Sequence, residues 1–180
     1  LLRVADGVAF SHANHVIHRD IKPENIRLGH FGEVYLMDWG LAIQQQPDGL
    51  FLHDLGGFAG AGTPAYMAPE MALAIGPEVG YGSDIYLLGA ILFEIVTGYP
   101  PHPGKTATES LVTAADNEII ETEAEGECLD IALKALSTES ENRFKTVQEF
   151  QKAVRDYREH AESLALCEVG CVDNRPEFSQ

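Results

Sequence analysis

The stretch from Asp84 to Thr97 reads Asp-Ile-Tyr-Leu-Leu-Gly-Ala-Ile-Leu-Phe-Glu-Ile-Val-Thr and is apolar on nearly every side. A surface helix keeps one polar face toward water, so a helix this uniformly apolar has to be surrounded by other elements. Gly98, with Pro100 and Pro101 just beyond it, supplies the stop. The fold must therefore wrap a central helix, and 180 residues of 45% apolar composition suffice to do so within one domain. The run Ile85 to Val96 is interrupted by Glu94 and falls short of the roughly 20 residues that cross a bilayer, which makes it core rather than membrane span.

Around this helix the pattern predicts a mainly α domain. Leu1, Leu2, Ala5, Val8, Ala9 and His12 recur at three- and four-residue intervals, which predicts an amphipathic helix over the first dozen residues. Short apolar pieces at Val16-Ile17, Ile26 to Leu28 and Val34 to Met37, punctuated by Gly29 and Gly32, predict small strands, the last two paired as a hairpin. From Gly40 to Gly62 the chain reads as one long loop, and loops of that length inside a domain usually carry function. Further helices are expected over 105–115 and 127–137. Thr146 with Glu149 forms a capping-box pattern ahead of an amphipathic helix through Ala161, and the tail after Leu166 shows no such pattern.

Charge narrows the function classes. Twelve Lys and Arg stand against 28 Asp and Glu, a formal net charge of −16, so phosphate-rich partners such as nucleic acids and anionic membrane surfaces are disfavoured. The acidic run Asp116 to Asp130 reads as a solvated loop, with attraction of basic partners as the lesser alternative. Cys128, Cys167 and Cys171 are odd in number and suit no zinc spacing, which points to reduced thiols in a cytoplasmic compartment. The chain opens Leu-Leu-Arg with neither an initiator Met nor a signal-peptide layout, so the expectation is a piece of a longer protein whose anchor, if any, lies outside it.

Three motifs occur in order: His18-Arg19-Asp20-Ile21-Lys22-Pro23-Glu24-Asn25, then Asp38-Trp39-Gly40, then Gly62-Thr63-Pro64-Ala65-Tyr66-Met67-Ala68-Pro69-Glu70. On these residues the chain resembles the serine/threonine protein kinase family of the bacterial, eukaryotic-like type. The resemblance runs from Leu1 to Ala161, with 162–180 left as a tail or linker. It implies a kinase C-lobe, helical with a small β-hairpin near the catalytic loop, and transfer of the ATP γ-phosphoryl group to Ser or Thr hydroxyls of protein substrates.

Residue by residue, the resemblance makes Asp20 the catalytic base and Lys22 the group that neutralises charge on the transferred phosphoryl. Asn25 and Asp38, at opposite ends of the hairpin, would hold Mg²⁺ with hard oxygens, adjacent in space. His18 and Trp39 are expected to pack in the core beneath the loop, with Trp39, followed by Gly40, standing where the family usually has Phe. Asp84 would accept backbone hydrogen bonds from the catalytic loop, helix capping being the plainer alternative. Glu70 and Arg143 look like the family's buried ion pair, and Thr63 is expected to bond Asp20 and Lys22.

Three departures bear on activity. The family's N-lobe, with its Gly-rich loop, strand Lys and helix Glu, would precede Leu1, so the expectation is a C-lobe that needs the parent's N-lobe and does not catalyse alone. Arg27 occupies the position that forms the floor under adenine, where its guanidinium either stacks on the base or swings into solvent. Finally, Leu41 to Gly62 contains no Ser, Thr or Tyr, so Arg19 has no activation-loop phosphate to meet. Asp48 or Asp54 would supply the anion instead, or Arg19 would have no such partner. The competing reading is a pseudokinase, a scaffold without turnover.

Overall fold

The computed structural model describes residues 1–45, 62–75 and 78–172, with 164–172 as backbone only. In chain order its elements are α1 (Leu2–Ala13), β1 (Val16–Ile17), β2 (Ile26–Leu28), β3 (Val34–Leu36), β4 (Ile43–Gln44), α2 (Pro69–Ala72), α3 (Tyr81–Thr97), α4 (Ala107–Ala115), α5 (Glu127–Ala135) and α6 (Val147–Val172). Single 3-10 turns lie at Pro23–Asn25, Pro64–Tyr66 and Ser140–Asn142.

The apolar run is helix α3. It begins at Tyr81 rather than Asp84, because Ser83 Oγ accepts the Gly80 N–H at 3.2 Å and closes the first turn. Every residue from Ser83 to Phe93 is buried, whereas the last turn emerges, with Ile95 63% exposed. Gly98 ends the helix in the left-handed region, φ 88°, and returns its N–H to Glu94 O at 2.8 Å.

Helix α5 crosses α3 at Gly89, where a Cβ would lie 2.5 Å from Ala135 Cβ. Helix α6 lies across α1 and α5. Its Phe150 is fully buried against Phe144, and Gln151 Nε2 donates to Asp6 Oδ1 at 2.8 Å. Ile17, Ile21, Tyr86, Leu88 and Phe93 complete the centre, each fully buried apolar side chain stabilising by about 1.5–3 kcal/mol.

Two small antiparallel sheets flank this core. The hairpin pairs β2 with β3 in the register Ile26 with Leu36, Arg27 with Tyr35 and Leu28 with Val34. The second sheet pairs β1 with β4, Val16 with Gln44 and Ile17 with Ile43. Strand β4 corrects the reading of a structureless loop from Gly40, since the chain first returns to β1. The rest of that loop, 46–61 with Asp48 and Asp54, lies outside the described residues.

Helices α4 and α6 start with one device, which the expected Thr146–Glu149 capping box matches only in part. Thr146 Oγ1 accepts the Glu149 N–H at 3.2 Å, but Glu149 Oε2 takes the N–H of Lys145 at 2.9 Å, not that of Thr146 as a capping box would. Helix α4 repeats it: Thr106 Oγ1 accepts the Glu109 N–H at 3.2 Å and Glu109 Oε2 the Lys105 N–H at 2.7 Å. Both stretches read Lys-Thr-x-x-Glu. Helix α6 continues unbroken past Ala161 to Val172, so the stretch expected to be patternless tail begins as helix.

Candidate active site

Between β1 and β2 the chain turns through His18, Arg19 and Asp20, all buried. The turn hangs on Asp84 in the first turns of α3. Asp84 Oδ2 accepts the His18 N–H at 2.8 Å and Oδ1 the Arg19 N–H at 2.9 Å, while His12 Nε2 of α1 donates to Oδ2 at 2.8 Å. Asp84 itself is fully buried. A buried carboxylate is stable only when its oxygens are met by donors, and three converge here. In the sequence His12 falls on the apolar face of α1. Its spacing on α1 gave no sign that the ring would reach α3.

His18 holds the turn from inside. Its Nδ1 accepts the Asp20 N–H at 3.2 Å and its Nε2 donates to Met37 O at 3.1 Å, which fixes the tautomer with the proton on Nε2. Trp39 lies against this ring, centroids 4.5 Å apart, but it is 41% exposed rather than packed in the core. Its indole N–H donates to Leu36 O at 3.0 Å, which tethers the ring along the outer side of the hairpin instead of beneath the loop. Leu28, Phe31, Tyr35 and Met37 are exposed on the same hairpin, and Arg27, opposite Tyr35, is exposed as well.

Four polar side chains converge beside the turn. Asp20 Oδ2 accepts from Lys22 Nζ at 2.9 Å and from Asn25 Nδ2 at 3.0 Å, and Oδ1 accepts the Thr63 hydroxyl at 3.1 Å. Lys22 Nζ also donates to Thr63 Oγ1 at 2.6 Å. Thr63 comes from the far side of the long loop, just before the Pro64–Tyr66 turn. The Asn25 amide gives a second N–H bond to Asp20 O at 2.8 Å, so its Oδ1 is turned away from Asp20.

Asp38 stands one residue past Met37, whose N–H donates to Asn25 O at 2.7 Å, so the backbone brings the two ends of the hairpin together. The Asp38 carboxylate is exposed and accepts the Gly40 N–H at 3.3 Å. Arg19 is buried, with Nε donating to Leu41 O at 2.6 Å. Burial holds its guanidinium below the ordinary arginine range, partly offset by Asp84.

Glu70, in α2, meets Arg143 in a two-pronged buried pair at 2.7 and 2.9 Å, with Ser83 Oγ adding a third bond to Oε1 at 2.7 Å. Arg143 also donates to Ser137 O, Thr138 O and Gly82 O, so every N–H of its guanidinium has an acceptor.

A loop hung from a helix aspartate, with a carboxylate, an ammonium and an amide interlocked beside it, is the arrangement of a protein-kinase-type domain. The sequence matches the protein kinase domain family over residues 1–161, and the chain belongs to that family. It is 34% identical over 182 residues to the serine/threonine-protein kinase PknD of Protochlamydia amoebophila, a match covering 88% of this chain and 18% of the relative. With PknD of Chlamydia muridarum it shares 33% identity over 86% of this chain and 19% of the relative. With PknB of Mycobacterium tuberculosis the identity is 35% over 79% and 23%. The chain thus spans about a fifth of the length of the relatives it matches. Among the described residues no helix is long and apolar enough to cross a membrane.

Proposed function

We propose that the chain is the C-lobe of a bacterial serine/threonine protein kinase whose intact form transfers the ATP γ-phosphoryl group to Ser or Thr hydroxyls of proteins in the cytoplasm. The observation that carries this reading is the convergence of Lys22, Asn25 and Thr63 on the Asp20 carboxylate. Phosphoryl transfer asks little covalent chemistry of a protein and much positioning. Asp20 is held by donors on both oxygens, so a substrate hydroxyl delivered there meets a base of fixed direction. Lys22, shared between Asp20 and Thr63, carries its charge to the place where the transferred group gains negative charge.

The donor set suits Mg²⁺, which when bound neutralises phosphate charge: Asn25 turns its Oδ1 away from Asp20, and the Asp38 carboxylate is exposed. These two residues would hold the metal and, through it, ATP. The apolar hairpin side with Phe31 94% and Leu28 79% exposed is where an N-lobe from the parent chain would sit.

One observation favours the pseudokinase reading, the exposed guanidinium of Arg27 on the strand expected to floor the adenine. The test is phosphotransfer from Mg-ATP to Ser/Thr peptides by the intact protein and its Asp20→Asn variant. A fall of about 10²–10⁴ in turnover is expected. Equal turnover would remove Asp20 from the role of base, and no turnover in the unmodified protein would make the domain a scaffold.

A further inference from the structure

His102 follows Pro101 after α3 and is fully buried. Its ring touches two partners: Nδ1 lies 3.0 Å from Glu118 O and Nε2 lies 2.6 Å from Tyr86 Oη. Tyr86 Oη is also 2.6 Å from Asn117 Oδ1, and Asn117 Nδ2 donates to Leu136 O at 3.0 Å and to Thr138 Oγ1 at 2.8 Å. A carbonyl only accepts, so Glu118 O requires a hydrogen on Nδ1. Leu136 O likewise fixes the Asn117 amide with its nitrogen outward, which leaves Oδ1 facing Tyr86 and takes the only hydroxyl proton. Nε2 must then bring a hydrogen of its own. Every contact is filled only when the ring carries both protons, and with a single ring proton one short contact has no hydrogen.

The surroundings do not favour a charge there. Among the described residues the ionisable groups beside the ring are Tyr86 from α3, with the Arg143 guanidinium 4.9 Å from the tyrosine ring and paired to Glu70, and, past α4, Glu118, which is exposed. Burial pushes the imidazole below its ordinary range, the Glu118 carbonyl opposing, and burial pushes the Tyr86 hydroxyl up, so the tyrosine keeps its proton while the histidine titrates. A cavity of about 230 Å³ lined by His102, Thr113, Glu118 and Ile120 borders the ring. His102 also ties the cluster to the candidate site, since its backbone N–H donates to Ala65 O at 3.2 Å in the turn that follows Thr63. Asn117 holds a left-handed backbone, φ 52°, a conformation that the side-chain bonds help to retain.

We propose that the His102–Tyr86–Asn117 cluster is a one-proton joint: with a neutral His102 one of its contacts lacks a hydrogen and opens, and acidification closes the cluster and tightens the link between the Thr63–Tyr66 segment, α3 and the C-terminal end of α5. The experiment is a pH titration of the chain by ¹⁵N–¹H NMR that reads the His102 ring nitrogens with the backbone amides of Ala65, Asn117 and Ile120. His102 should titrate below the ordinary imidazole range of about 6.5, and the three amides should shift with the same midpoint. Tyr86→Phe removes the acceptor for Nε2–H and should lower that midpoint by about one pH unit, the weight of a single hydrogen bond. Amides that show no inflection at the His102 midpoint would overturn the joint even if Tyr86→Phe does not fold, because that comparison needs only the unmodified chain. An unchanged midpoint in a folded Tyr86→Phe chain would also overturn it. Neither readout depends on phosphotransfer.

Discussion

Arg19 and Asp38 have φ of 68° and 57°, in the left-handed region that non-glycine residues enter only at a cost of about 1–3 kcal/mol. Each is fixed by neighbours that outweigh that cost: Arg19 by Asp84 Oδ1 and by Leu41 O, Asp38 by the adjoining Met37 bonds to Asn25 and His18. The turn at Asp38 directs a carboxylate away from the strand toward open space. Asp38→Asn keeps the shape and deletes the charge, so in the intact protein the Mg²⁺ dependence of phosphotransfer should shift to higher metal concentration, by roughly tenfold for a loss near 1.4 kcal/mol. An unaltered metal titration would count against Asp38 as a ligand. At this scale the meeting of Thr63 with Asp20 and Lys22 was legible through the family resemblance, which the order of the motifs along the chain carries. His12 and Trp39 were not, because what each ring meets depends on how α1 and the hairpin are packed.

Helices were legible where periodicity was long. The apolar run identified α3, and the alternation of faces identified α1, α5 and α6. Strand β4 has two residues, too few to show a period, and its partner β1 lies on the other side of the His18–Asp20 turn and the hairpin. The closeness of α3 and α5 was equally hidden, because a glycine within an apolar run looks like a weak point rather than a contact. Gly89→Ala tests that contact. Alanine favours a helix interior by about 1 kcal/mol, but its Cβ would meet Ala135 Cβ at 2.5 Å and Ala132 O at 3.3 Å. Two packed helices have to separate to admit it, at about 1–3 kcal/mol, so overlap outweighs propensity. Urea unfolding should show a lower midpoint with an unchanged slope, and a stabilised variant would mean that the helices adjust freely.

Across the whole molecule one polar junction joins parts far apart in sequence. Glu70 in α2, Gly82 at the start of α3, and Ser137 and Thr138 after α5 all meet at Arg143, Ser83 joins through Glu70, and Tyr86 places its ring 4.9 Å from the guanidinium. The pairing of Glu70 with Arg143 was expected from the family resemblance alone; the carbonyls that complete the guanidinium shell were beyond reach, because backbone acceptors leave no mark on residue type. The shell decides how the pair responds to mutation. Glu70→Ala leaves a buried cation with only carbonyls and a ring, and should cost about 3–5 kcal/mol. Arg143→Ala strands a buried carboxylate that retains one hydroxyl donor, Ser83, and opens three carbonyls as well, so its cost should be at least as large. The double variant removes both charges. It should lose less than the sum of the single losses by at least about 2 kcal/mol, yet remain below the unmodified chain because Ser137, Thr138 and Gly82 still lack their donor. Denaturant melts of the four proteins measure the coupling, and additive losses would mean that the two side chains do not meet.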